Sequence, residues 1–146
     1  RESNYQGTYR GVYPIKVNQQ QEVIEEVARF GARYHHGLEA GSKAELLAAL
    51  SYLQDPEAFL ICNGYKDSEF IDLALYAKKM GFRTVLVVEI LSEVDLIAER
   101  SKSLNIEPSI GLRMKLSAPG SGNWVESAGD QSVFGQRAQR LLALRS

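Results

Sequence analysis

Short apolar runs alternate with amphipathic stretches along the whole chain. Strand-like runs are Val12–Val17, Tyr34–Leu38, Phe59–Cys62, Thr84–Val88 and Ile110–Met114. Between them, Glu22–Phe30, Lys43–Leu53, Glu69–Met80 and Glu93–Ser101 carry apolar residues at helical spacing. In the second of these, Leu46, Leu47, Leu50 and Leu53 are expected on one face. Its start is marked by Ser42 and Glu45, an S-x-x-E capping box. Ser92 and Asp95 give a weaker start signal, and Gly31 and Gly81 read as helix stops. The alternation predicts an α/β fold of parallel strands joined by right-handed helical crossovers.

The residues that close each strand are chemically unlike the strands themselves. Lys16, Glu39, Asn63, Glu89 and Arg113 stand at or just past five successive strand ends. Their separations are 39 − 16 = 23, 63 − 39 = 24, 89 − 63 = 26 and 113 − 89 = 24 residues. Parallel α/β sheets gather ligands at the carboxyl edge, whether the sheet is open or closed into a barrel. Taken singly, each of the five reads as solvated surface. In phase, they predict one basin lined by a lysine, two carboxylates, an amide and an arginine.

The first strand holds the sharpest chemical signal. Val12-Tyr13-Pro14-Ile15-Lys16-Val17 sets a lone lysine in an apolar run, followed by Asn18, Gln19, Gln20 and Gln21. Pro14 fits only a strand edge or a bulge, because it has no N–H for a ladder. A lysine stripped of hydration becomes a usable amine nucleophile, which is what Schiff-base chemistry with a carbonyl cofactor requires. The plainer reading puts the head of Lys16 in water at a strand end.

Composition narrows the setting. Apolar residues make up 45% and charged residues 24%, ordinary for a soluble globular protein. Net charge is 17 − 18 = −1, so no global field favours nucleic acid or an anionic membrane. No apolar run approaches the roughly 18 residues that span a bilayer. Cys62 is the single cysteine, which excludes an intrachain disulfide and fits a reducing, cytoplasmic setting. It reads as a small buried hydrophobe rather than a reactive thiol. His35 and His36 open a strand, at the end opposite the basin. Arg1–Tyr5 carries no signal-peptide pattern, and with Arg1 rather than Met first, a true start upstream is expected. A (β/α)8 barrel takes roughly 250 residues, so five units predict part of one barrel domain belonging to a longer protein.

At these residues the chain resembles the biosynthetic arginine decarboxylases, which use pyridoxal 5′-phosphate (PLP) on an alanine-racemase-like TIM barrel. The resemblance rests on Tyr5-Gln6-Gly7, Val12-Tyr13-Pro14-Ile15-Lys16-Val17-Asn18-Gln19 and Gly37-Leu38-Glu39-Ala40-Gly41-Ser42-Lys43. It continues through Ile61-Cys62-Asn63-Gly64-Tyr65-Lys66-Asp67 and Gly111-Leu112-Arg113. It implies that Lys16 holds PLP, that Glu39 lies beside it and assists proton movement, and that Arg113 lies near the cofactor ring. Asn63 and Glu89 are expected to line the cavity. The implied reaction converts L-arginine to agmatine and carbon dioxide, a step of polyamine biosynthesis. The implied partners are that small-molecule substrate and further copies of the protein in a homo-oligomer, with Mg2+ a possible second cofactor.

The resemblance also implies that the phosphate-binding glycine loops, a ring-stacking histidine and an acid facing the pyridine nitrogen come from later strands. A following β-domain and a second subunit would complete the pocket. A non-catalytic PLP-binding barrel and a decarboxylase of another basic amino acid are the alternatives. In the glycine- and serine-rich stretch that includes Gly122-Asn123-Trp124, this chain has Val133 and Gln136 where the family usually carries lysine and leucine. Trp124 reads as packing under that loop.

Overall fold

The structure, a computed structural model, describes residue 4 and residues 6–113. Met114, Trp124, Val133 and Gln136 lie outside the described residues. The elements run β1 (Val12–Pro14), α1 (Gln21–Gly31), β2 (Gly37–Ala40), α2 (Lys43–Tyr52), β3 (Phe59–Cys62), α3 (Ser68–Lys79), β4 (Arg83–Val88), α4 (Leu91–Leu104) and β5 (Ile110–Leu112). All four strand pairings are parallel, and the sheet order is β1-β2-β3-β4-β5. Neighbours in sequence are thus neighbours in space. With right-handed crossovers this order lays every helix on one face, the arrangement of a partial (β/α) barrel.

Burial follows the pleat. Leu38, Ala40, Leu60, Cys62, Leu86 and Val88 are buried on the helix-covered side, against Ile24, Leu46, Phe70, Leu75 and Ile97. The intervening positions Val12, Ile61, Val85 and Val87 are half-buried and face the other way. Each large apolar side chain on the covered face contributes about 1.5–3 kcal/mol, so that face holds the layers together. On α2, Leu46 and Leu53 are buried and Leu50 half-buried, but Leu47 is 53% exposed. Leu47 lies about 100° round the helix from Leu46, off the i, i+4, i+7 stripe.

The helix ends explain where the expected boundaries moved. At α2, Ser42 Oγ accepts from Glu45 N at 3.2 Å, but the Glu45 carboxylate reaches Gly41 N (2.7 Å) rather than the cap's own N–H. Asp67 caps α3 by accepting from Phe70 N at 2.9 Å. Gly81, at φ +104°, closes α3, with Gly81 N on Lys78 O and Phe82 N on Ala77 O. This is a Schellman stop that a left-handed residue permits. Asn105, at φ +51°, plays the same part for α4 and lets it run to Leu104, past the expected Ser101. The start of α4 is corrected as well. Ser92 and Asp95 do not cap it; the longer Glu93 reaches back to Glu89 N (2.8 Å) and Ile90 N (3.5 Å).

Two strands are shorter or later than expected. Ala32–Tyr34 form a 3₁₀ turn and His35 takes φ +54°, so β2 starts at Gly37 instead of Tyr34. Pro14 ends β1 at the sheet edge, and Ile15–Val17 coil into a 3₁₀ turn. The proline has no N–H to continue the ladder. His35 and His36 precede β2, at the amino end of the sheet. There His35 Nδ1 lies 2.8 Å from Asp55 Oδ2, and His36 packs on Gly11 and Gly31.

Candidate functional site

Each strand delivers one polar side chain to the carboxyl edge, and the register decides which face receives it. Pro14 pairs with Glu39, Glu39 with Ile61, and Val87 with Gly111. Glu39 therefore projects on the side away from the helices, where Val12, Ile61 and Val87 form an apolar floor. Lys16, Glu39, Asn63 and Arg113 line one open cavity of about 650 Å³ over that floor. Four of the five expected residues are thus brought together. Glu89 does not line the cavity. Its Oε1 accepts from Gly64 N at 3.0 Å and lies 3.5 Å from Arg113 Nη1. It supports a loop and an arginine instead.

Glu39 is the buried acid of the group, 7% exposed. Its Oε1 accepts from Asn63 Nδ2 at 3.0 Å. Its Oε2 is shut off from solvent and has no partner among the described residues. A buried carboxylate oxygen left unpaired is costly, and such a group in a cavity wall is a place for a ligand's polar atom. Lys16 is exposed, while its neighbour Ile15 is buried and anchors the turn. The expected apolar surroundings of Lys16 are not found, because the 3₁₀ turn lifts it out of the strand. Among the described residues its amine has no hydrogen-bond or ion-pair partner at the cavity wall. The Arg113 guanidinium is more than half exposed, with Glu89 near it. A free amine, a buried acid with an unpartnered oxygen and a cationic fork fit a carbonyl-bearing anionic ligand such as PLP.

The walls are tied together from behind. Gln19 Nε2 donates to Glu45 Oε1 at 3.0 Å, joining the Lys16 turn to the start of α2. Lys43 Nζ donates to Asp67 Oδ2 and Glu69 Oε2, both at 2.7 Å, joining α2 to α3. Those two carboxylates raise the Lys43 amine to about 12, the Asp67 hydrogen bond contributing most. Lys66 and Glu93 form a buried pair 3.5 Å apart beneath the edge. Sequence reasoning passed over Gln19, Lys66 and the carboxylate role of Glu93. For Lys66 the available signal was a lysine two residues after a strand-end Asn-Gly. Cys62 is fully buried, and burial pushes its thiol up to about 12, so it is inert.

Residues 2–146 match the family model described as pyridoxal-dependent decarboxylase, pyridoxal binding domain. The biosynthetic arginine decarboxylase of Gloeobacter violaceus is 51% identical over 142 residues, covering 97% of this chain and 22% of that protein. That of Parasynechococcus marenigrum is 54% identical over 140 residues, covering 96% of the chain and 22% of the relative. The chain thus spans about a fifth of the length of these curated relatives. The crystal structure of the biosynthetic arginine decarboxylase from Campylobacter jejuni superposes with a TM-score of 0.75 at 33% identity, covering 98% of this chain and 23% of that one. Diaminopimelate decarboxylase from M. jannaschi gives 0.73 at 21% identity, covering 98% of this chain and 33% of that one, and shares the fold.

Proposed function

We propose, for a chain that belongs to the pyridoxal-dependent decarboxylases through their pyridoxal-binding domain, that it carries the lysine side of the site in an enzyme converting L-arginine to agmatine and carbon dioxide. The observation behind this reading is the meeting of Lys16, Glu39, Asn63 and Arg113 around one cavity at the carboxyl edge of a parallel sheet. When bound, PLP supplies the electron sink for the pair released as the substrate's carboxylate leaves. The rest belongs to the chain's own side chains. Lys16 would hold the cofactor through its primary amine, and that amine is placed to return a proton to the substrate's α-carbon. Glu39 keeps an unpartnered oxygen available to hold or pass a proton, and Asn63 fixes its other oxygen. Arg113 presents cationic N–H donors where anionic charge must be held. The apolar floor of Val12, Ile61 and Val87 limits water beneath the reacting atoms.

The substrate is argued from the relatives, which are biosynthetic arginine decarboxylases. The same reading takes the complete enzyme to be a cytoplasmic homo-oligomer in which later strands and a second subunit finish the pocket. No helix among the described residues is long and apolar enough to cross a membrane. Among the described residues no group of three His, Cys, Asp or Glu side chains is placed to hold a metal ion.

Release of labelled carbon dioxide from carboxyl-labelled arginine, with PLP in excess, tests the reading. The full-length protein is expected to turn over arginine and to spare lysine, ornithine and diaminopimelate. The 146-residue chain alone is expected to be inactive, because phosphate retention leans on backbone N–H donors supplied by later strands. A full-length protein that binds PLP yet releases nothing from arginine would be a non-catalytic carrier instead.

A further inference from the structure

The lysine that the proposed chemistry does not use is the more deeply buried one. Lys66 is 1% exposed and Glu93 3%. Holding two charges out of water is expensive and rarely the cheapest way to stabilise a fold. Their contacts show what they hold. Lys66 Nζ donates to Gly64 O at 2.6 Å and lies 3.5 Å from Glu93 Oε2. The same Glu93 oxygen accepts from Glu89 N at 2.8 Å. Glu89 Oε1 in turn accepts from Gly64 N at 3.0 Å. The contacts close a ring from Lys66 through Gly64, Glu89 and Glu93 back to Lys66. Both sides of the Gly64 residue are gripped, its N–H by Glu89 and its carbonyl by Lys66.

Gly64 also has no room to move toward its other neighbour. It sits at φ +75°, and a Cβ there would come within 2.4 Å of Gly41 O. The loop after β3 is therefore pressed against the loop after β2 while the ring ties it to the loop after β4. Asn63, the residue before Gly64, donates to Glu39. Glu89, within the ring, is the near neighbour of Arg113.

We propose that Lys66 and Glu93 are positioning residues: their buried pair aims Asn63 at Glu39 and Glu89 at Arg113, setting two walls of the cavity without touching a ligand. The inference rests on the reading that this cavity houses the decarboxylation. Displacing a supporting group by about an ångström costs roughly 10- to 100-fold in rate even when binding survives.

The decisive variant is the full-length enzyme carrying Lys66→Met with Glu93→Gln. It removes both charges at near-constant volume and so leaves no lone buried ion. Its thermal midpoint is expected within about 5 °C of the parent. PLP affinity, followed by absorbance titration, and KM for arginine are expected to change less than about threefold, while kcat falls roughly 10- to 100-fold. Adding Asn63→Ala is expected to cost less than the product of the two separate losses, because the pair acts in part through that side chain. A folded double variant with the parent's kcat, or full multiplication of the two losses, overturns the proposal. Should the double variant fail to fold, Lys66→Arg keeps the charge with a different reach. Expected there is a folded protein with reduced kcat, and parental kcat overturns the proposal equally. Lys16→Ala run in parallel separates the two failures. If Lys16→Ala is dead and the pair variant is fully active, only the positioning role falls. If Lys16→Ala turns over normally, the site itself is misplaced and both readings fall.

Discussion

The two edges of this sheet hold their charges in opposite ways. At the amino edge, Glu57 meets Arg83 at 2.8 Å and Arg10 at 3.5 Å, with Glu57 and Arg83 both well exposed. The guanidinium carbons of the two arginines lie 4.8 and 5.9 Å from the centre of the Phe59 ring. These are solvent-screened contacts, each contributing little. At the carboxyl edge Glu39, Lys66 and Glu93 are buried, and both glutamates keep one oxygen without a partner among the described residues. Such placement costs stability. The cavity those residues surround or brace accounts for it. On the proposed reading, one edge closes the fold and the other holds groups for a ligand.

Lys16→Ala should break the comparison most visibly. Expected is a loss of turnover of roughly 10³-fold or more, with the thermal midpoint nearly unchanged because Lys16 is exposed. Steady-state kinetics and calorimetry on the full-length enzyme check both halves. Glu39→Gln comes second, with kcat reduced roughly 10²-fold; unchanged kcat would remove Glu39 from proton movement.

The amino edge should answer with stability alone. A Cβ at Gly37 would come 2.1 Å from Phe59 O, a backbone atom that cannot swing aside. Gly37→Ala is therefore expected to destabilise by about 1–3 kcal/mol or more, with the kcat of the folded fraction preserved. Glu57→Gln should cost at most about 1 kcal/mol and leave arginine kinetics alone. A clear kinetic effect there would erase the distinction between the edges.

The smallest effect is in acid. Burial of Asp55 works to raise its carboxyl, but the Glu57 N–H and His35 outweigh it and hold the group below its ordinary value of 3.8. A carboxylate depressed in the folded state adds stability above its unfolded value and loses it as pH falls through the folded one. The stabilising share of Asp55 is thus full above about pH 4 and fades below it. Asp55→Asn should flatten that part of the acid-denaturation curve; an unchanged slope below pH 4 would show the contact to be idle.

Much of this was legible in the chain because it is periodic. Spacings near 24 residues named five strand ends, and the parallel order followed from the helical connectors. Pro14 was legible as an edge residue because a missing N–H leaves it few places to go. What failed depended on single backbone choices or on partners far apart in sequence. The left-handed turn at His35 moved β2 three residues, and the 3₁₀ turn after Pro14 lifted Lys16 out of the strand. Glu89 resembled its strand-end counterparts in position, yet the Gly64 N–H of the adjacent loop captured its carboxylate. The Lys66–Glu93 pair joins the loop after β3 to the first turn of α4 across 27 residues (93 − 66). No local pattern announces such a contact, whereas capping by Ser42 is written within four residues.

Borohydride reduction of the full-length enzyme with PLP, followed by proteolysis and mass mapping of the modified lysine, tests the central claim most directly. The account predicts a pyridoxyl group on Lys16, absent when L-arginine saturates the enzyme and absent from Lys16→Ala. A pyridoxyl group found on Lys66 or any other lysine, with Lys16 unmodified, would contradict it.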